Sequence, residues 1–228
     1  IATYGRHVLA LTSDDITWSV APLASSYGLG NTLYFPFGAG ASTWMTGAPP
    51  SPDEAARACT EGGATALFGV PTFWARVARH VADGRVPASA FADVRLAVSA
   101  GEPLPAAVWQ RVHEVLGLAL VDGLGASEAT NLYVSTRRNR PRADSLGWVV
   151  PGYELRVVDH SGQPVADGSS GELLVRGATV MTGYLDAPEA TERALRDGWL
   201  HTGDRVVRQP DASYRFVGRV GERFKCGG

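Results

Sequence analysis

The sequence predicts an α/β fold, a parallel sheet with crossover helices followed by a small antiparallel β-barrel-like subdomain. Helical and strand patterns alternate from Ile1 to about Gly147, and short period-two runs broken by Gly, Pro and Asp take over from Trp148. With 228 residues, 45% of them hydrophobic, the chain can fill a substantial core. We therefore expect an α/β subdomain at 1–147, a β-rich subdomain at 148–220 and a short exit at 221–228.

In the first part, Ser51-Pro52-Asp53-Glu54 has the order of a helix start: an oxygen-bearing cap, Pro at the first position and acids in the first turn. That helix is expected to reach about Glu61. A buried strand follows over Ala64–Val70, and Pro71-Thr72 opens a second helix with Trp74, Val77 and Val81 at helical spacing. The run Val94–Ala100 reads as another strand, Pro105 to about Leu116 as a helix, and Leu118–Gly123 as a strand entering a glycine-rich loop. In the second part, Glu154–Asp159, Gly171–Arg176 and Ser213–Val217 alternate with a period of two. His160-Ser161-Gly162 and Asp167-Gly168-Ser169 suit hairpins, and Ala187–Glu192 inserts a short helix.

Composition narrows the function. A formal net charge of -2 offers none of the basic field that nucleic-acid binding requires. Apolar stretches break before the roughly 20 residues that span a bilayer, and the first residues lack the order of a signal peptide, so a soluble, cytoplasmic protein is expected. Cys59 and Cys226 stand alone, far from metal-ligand or disulfide spacing, and are read as reduced. The single lysine is Lys225. His7, His80, His113 and His160 lack partners at suggestive spacing and are assigned no chemistry.

Ligands of parallel sheets bind beyond the carboxyl ends of the strands. Two such ends carry Ser99-Ala100-Gly101-Glu102-Pro103 and Asp122-Gly123-Leu124-Gly125-Ala126-Ser127-Glu128, so glycine-rich backbone and acids should meet at one sheet edge. Glycines allow a planar ring or a phosphate to approach the main chain. Ser127 supplies a hydroxyl and Glu128 a carboxylate suited to Mg²⁺. Either segment alone reads equally as an ordinary turn.

Together with His201-Thr202-Gly203-Asp204, Gly218-Arg219, Tyr27-Gly28-Leu29-Gly30-Asn31, Gly69-Val70-Pro71-Thr72, Pro151-Gly152-Tyr153 and Gly171-Glu172-Leu173-Leu174-Val175-Arg176-Gly177, they form an ordered set across nearly the whole chain. This set resembles the adenylate-forming superfamily of acyl-CoA synthetases, adenylation domains and luciferases, and most closely its benzoate-CoA ligase branch. The resemblance implies attack of a carboxylate on the α-phosphate of MgATP, then transfer of the acyl group to CoA. The alternative acceptor is the phosphopantetheine thiol of a carrier protein, and an adenylate-binding module without turnover is the reading from another class.

By the same resemblance Glu128 would bind Mg²⁺ and Ser127 would contact phosphate, these two being the catalytic candidates. Asp204 would accept from both ribose hydroxyls and Arg219 would add a cationic contact. Adenine would lie between Gly101-Glu102-Pro103 and Gly123-Leu124-Gly125, with Asp122 accepting from its exocyclic amine and Leu124 where many relatives place an aromatic. The pocket for a small aromatic carboxylic acid would be built from Tyr27, Gly28, Val70, Thr72, Ala100, Gly101, Leu124 and Asn131, with Asn131 able to bond a hydroxyl or amino substituent. The family's phosphate loop would lie before Ile1 and its lysine-bearing C-terminal domain after Gly228. The chain is thus expected to be a piece of a longer polypeptide, with Gly221 at the hinge position where Asp or Lys is usual.

Overall fold

The structure, a computed structural model, describes residues 3–221. Lys225, Cys226 and all of the expected exit segment except Gly221 lie outside the described residues. Gly221 itself is exposed with φ +85°, a conformation that glycine adopts without a Cβ clash.

Strand β1 (Ile16–Ser19) leads into a helical run in which α1 (Ser26–Leu29) continues through a π-turn into α2 (Phe35–Ala39). Then come β2 (Ser42–Thr43), α3 (Pro52–Thr60), β3 (Ala66–Gly69), α4 (Pro71–Ala82), β4 (Leu96–Ser99), α5 (Ala106–Leu116) and β5 (Leu120–Gly125). Strands β6 (Leu132–Ser135) and β7 (Trp148–Val149) complete a seven-stranded sheet of order β2-β1-β3-β4-β5-β6-β7. Pairing is parallel from β2 to β5 and antiparallel from β5 to β7. The expected parallel sheet therefore has an antiparallel margin. Because β7 belongs to this sheet, the change of sheet falls between Val149 and Tyr153, slightly later than the boundary at Gly147.

The expected helix starts form as read. The Ser51 hydroxyl accepts from the Glu54 N–H at 3.1 Å, capping α3 ahead of Pro52. Alternation along the strands divides the core by face. Leu67, Ala97 and Leu120 pack under α3, α4 and α5 together with Trp74, whereas Ala66, Phe68, Leu96, Val98 and Val121 pack with Tyr4, Leu9 and Phe35 on the other face. Trp74 is fully buried and its indole N–H donates to Val98 O at 3.0 Å, which ties α4 to β4. Cys59 is buried in the same layer, and burial pushes its thiol up to about 12, well away from a reactive thiolate.

The second sheet contains β8 (Tyr153–Val158), β9 (Ser170–Gly177), β10 (Leu195–Arg196), β11 (Trp199–Arg208) and β12 (Tyr214–Arg219), with α6 (Pro188–Ala194) before β10. All pairings are antiparallel, in the order β10-β11-β9-β8 with β12 on β11, and irregular register within β11 curls the sheet. Its core of Tyr133, Val134, Leu173, Val175, Leu200, Val206 and Tyr214 takes residues from β6 as well. Leu146 N–H donates to Tyr214 O, and Tyr214 N–H to Gly147 O, joining the two sheets at the lip of the site.

Candidate active site

Two adjoining cavities open at the carboxyl ends of β4 and β5. The first, about 280 Å³, is lined by Gly101, Glu102 and Pro103 after β4, by Gly123, Leu124 and Gly125 of β5, and by Asp204 and Arg219. The expected base and ribose residues are thus gathered in one place, apart from Asp122. Two further walls, Leu146 and Phe216, were not anticipated. Leu124 and Phe216 give the cavity both an aliphatic and an aromatic surface.

Asp204 and Arg219 are direct partners in the β11/β12 register. Arg219 Nη1 donates to Asp204 Oδ1 at 2.8 Å, and the Tyr133 hydroxyl approaches Oδ2 at 3.4 Å. The Asp204 N–H is held by Thr202 Oγ1 at 3.0 Å. Only 2% of Asp204 is exposed, and burial holds its carboxyl above the usual range against the opposing pull of Arg219. Burial, followed by the negative field of Asp204, keeps the Tyr133 phenol protonated and able to donate. A carboxylate oxygen accepts more than one hydrogen bond, so both oxygens of Asp204 retain acceptor capacity.

Asp122 departs from expectation. It is not among the residues lining the cavity; its carboxyl turns back onto the Gly123 N–H, with Oδ1 accepting at 2.9 Å. Burial pushes this carboxyl up to about 8, against the Gly123 bond. The glycines of β5 also have a structural cause that the sequence reading missed. A Cβ on Gly123 would stand 2.7 Å from Val134 O and one on Gly125 2.5 Å from Asn131 O, so the close β5/β6 pairing itself requires them.

The second cavity, about 160 Å³, is lined by Ser26, Tyr27, Ala100, Gly101, Gly125, Ala126, Ser127, Asn131 and Leu132. Of the expected acid-pocket residues it brings together Tyr27, Ala100, Gly101 and Asn131. The others are not among its walls: Gly28 packs on the Pro22 carbonyl, Val70 at the α4 cap sets its side chain beside Gly101, Thr72 is exposed in the first turn of α4, and Leu124 faces the first cavity. Tyr27 donates to Gly69 O at 3.1 Å, which fixes its ring as one wall. Asn131 Oδ1 accepts from the Leu132 N–H at 2.8 Å, and Nδ2 points to Ser26 O at 3.5 Å and lies against Gly30, so the amide bridges β6 and the α1 backbone at the cavity wall. The Ser26 and Ser127 hydroxyls pair at 2.9 Å across the mouth.

Gly101 and Gly125 line both cavities, so the two meet there. Glu128 follows on the same loop, in a single 3₁₀ turn over Ser127–Ala129. Its Oε1 accepts from the Tyr184 hydroxyl at 2.6 Å, and Oε2 has no hydrogen bond among the described residues. No group of three or more His, Cys, Asp or Glu among the described residues could hold a metal ion. Among the described residues Glu128 is therefore a carboxylate with one unbonded oxygen and not a member of a cluster of three or more such ligands. No helix among the described residues is long and apolar enough to cross a membrane.

Comparison with known proteins identifies the class. The chain matches the family described as AMP-binding enzyme over residues 1–185 and belongs to it. It is 35% identical over 226 residues to the anthranilate–CoA ligase of Pseudomonas aeruginosa, covering 99% of this chain and 42% of that protein. It is 36% identical over 224 residues to a p-hydroxybenzoic acid–AMP ligase of Mycobacterium tuberculosis, covering 98% and 31%. Among solved structures it superposes on a benzoate CoA ligase from Burkholderia xenovorans LB400 with a TM-score of 0.91 at 30% identity, covering 98% of this chain and 45% of that one. The chain therefore spans less than half the length of these relatives.

Proposed function

We propose that this chain contributes the nucleotide and acid pockets of an ATP-dependent aryl acid–thiol ligase. The observation that carries the reading is the junction at Gly101 and Gly125, where a nucleoside-shaped cavity meets a small aryl-sized one beside Ser127 and Glu128. The names of the three relatives reported above concern aromatic acids and support the same substrate class.

In the first step a carboxylate oxygen attacks the α-phosphorus of ATP and pyrophosphate leaves with the electron pair. In the second, a thiol sulfur attacks the acyl carbon and AMP leaves. Charge is the obstacle, because an anion must approach an anionic triphosphate. Mg²⁺, when bound, neutralises phosphate charge. Glu128 offers the free oxygen that anchors it, and Ser127, on the wall of the smaller cavity, offers a hydroxyl to the phosphate. Asp204 and Arg219 hold the ribose, while Leu124 and Phe216 bracket the base. Asp122 acts on the adenine amine only after turning its carboxyl away from the Gly123 N–H. CoA is the proposed acceptor; a carrier-protein phosphopantetheine is the second reading, favoured by the relative named as an AMP ligase. A reaction drawing on ATP and CoA, with a reduced buried thiol at Cys59, fits the cytoplasm.

The test is ATP–pyrophosphate exchange by the full-length protein across a panel of acids. Benzoates bearing a hydroxyl or amino group in reach of Asn131 should exchange faster than plain benzoate, and long-chain fatty acids should not exchange. Asn131→Leu should reduce the preference for the substituted acid by about tenfold, because an amide donor is lost while apolar contact remains. Equal use of fatty acids would overturn the aryl assignment, and an unchanged preference in the variant would remove Asn131 from substrate recognition.

A further inference from the structure

The turn bearing Glu128 is backbone-strained and held from outside. Thr130, a β-branched residue, has φ +73°, a conformation that persists only where surrounding contacts impose it. Those contacts come from the segment joining β9 to α6 and from Tyr153 of β8. Thr130 Oγ1 donates to Thr179 O at 2.9 Å, and Thr179 Oγ1 and the Tyr153 hydroxyl, themselves hydrogen-bonded at 2.6 Å, lie 3.1 and 2.9 Å from Ala129 O. Met181 N–H donates to Glu128 O at 2.7 Å, so the same segment grips the residue's main chain. Its last member, Tyr184, grips the side chain through the 2.6 Å bond to Oε1.

Tyr184 is itself anchored. Its N–H donates to Thr191 Oγ1 of α6 at 2.8 Å, and that hydroxyl donates to Ala187 O. Gly183 makes the approach possible, since a Cβ there would stand 2.9 Å from the Thr191 methyl.

We propose that Tyr184 is a positioning residue: it fixes the Glu128 carboxylate with Oε2 free for the metal of metal–ATP, and the strap over residues 178–186 thereby sets the metal site from the second sheet. This rests on the reading of Glu128 as the metal anchor. A carboxylate already locked in one orientation loses less freedom on binding, and a bond to a charged acceptor is among the stronger ones.

The experiment is electron paramagnetic resonance of Mn²⁺ bound with a non-hydrolysable ATP analogue to the full-length protein, for wild type, Tyr184→Phe, Glu128→Gln and the double variant. Tyr184→Phe should weaken Mn²⁺–nucleotide binding by about tenfold and leave the KM for the aryl acid unchanged. Glu128→Gln should weaken it at least as much, and adding Tyr184→Phe to it should cost little more. Full additivity, or an unaffected Tyr184→Phe beside a weakened Glu128→Gln, overturns the positioning role and leaves the metal reading standing. Normal binding in Glu128→Gln removes the metal reading and this inference with it. If Tyr184→Phe fails to fold, Gly183→Ala, which pushes the strap off Thr191, should give the same loss of Mn²⁺ binding, and normal binding in it overturns the role.

Discussion

Glu128→Gln is expected to lower ATP–pyrophosphate exchange by about 10²- to 10³-fold, the range seen when one preorganised electrostatic contact to a developing charge is removed. The substitution keeps the volume of the side chain and its bond from Tyr184, since the amide oxygen still accepts. What it removes is the negative charge of the residue that follows Ser127, a wall of the smaller cavity. Among the described residues no cluster of three or more His, Cys, Asp or Glu surrounds it. The loss should fall on kcat for adenylation, and excess Mg²⁺ should restore part of it. Acid binding should change little, because Glu128 is absent from the walls of the smaller cavity. A variant with normal exchange would contradict the metal role.

Asp204→Ala should raise the KM for ATP by about 10²-fold, the sum of two hydrogen bonds to a charged acceptor. The effect reaches beyond the ribose. Arg219 Nη1 loses its 2.8 Å partner and the buried Tyr133 hydroxyl loses Oδ2, so two donors that ordered the wall are released together. Asp204→Asn separates the contributions, since it keeps one acceptor oxygen and the shape of the side chain. It should fall between wild type and Ala in ATP KM. Exchange measured against ATP concentration, with the acid saturating, checks both; unchanged ATP kinetics in the Ala variant would undo the ribose assignment.

The parts of this site that were legible in the sequence are those that sit beside their own local signal. Gly101-Glu102-Pro103 and Gly123–Glu128 end runs of buried apolar residues, and strand-end position in a parallel sheet is enough to bring them together. Asp204 and Arg219 are 15 residues apart, and their pairing is a hairpin register that the period-two pattern prefigures. Leu146 and Phe216 were invisible for the opposite reason. Leu146 reaches the cavity because its N–H pairs with Tyr214 O, a contact between the two sheets, and Phe216 reads as any alternating strand residue. Ser26 and Tyr184 likewise depend on long-range bonds to Ser127 and Glu128 that no spacing announces.

The expected residues that do not line the smaller cavity have separate physical causes. Val70 and Thr72 belong to a helix start, where the side chains of the cap and first turn need not follow the strand before them into the cavity. Gly28 fills a tight contact with Pro22 rather than opening a slot. The antiparallel margin of the large sheet was missed because Leu132–Ser135 is short and Trp148–Val149 shorter still, lengths at which a pairing partner decides strand formation more than the residues do. Periodicity could not say that β7 belongs to the first sheet.

The most direct test of the central claim is a calorimetric titration of the full-length protein with aryl-sulfamoyl adenosines and, beside them, a fatty-acyl counterpart. Under the proposed function each compound would carry the nucleoside into the cavity of Asp204 and Arg219 and its acyl group into that of Tyr27 and Asn131, joined where Gly101 and Gly125 line both. The account predicts tight binding of at least one aryl member, at least about 100-fold over the fatty-acyl compound, because a cavity walled by the fixed Tyr27 ring cannot take a long chain. Equal or tighter binding of the fatty-acyl compound, or no binding of any aryl member, would contradict it.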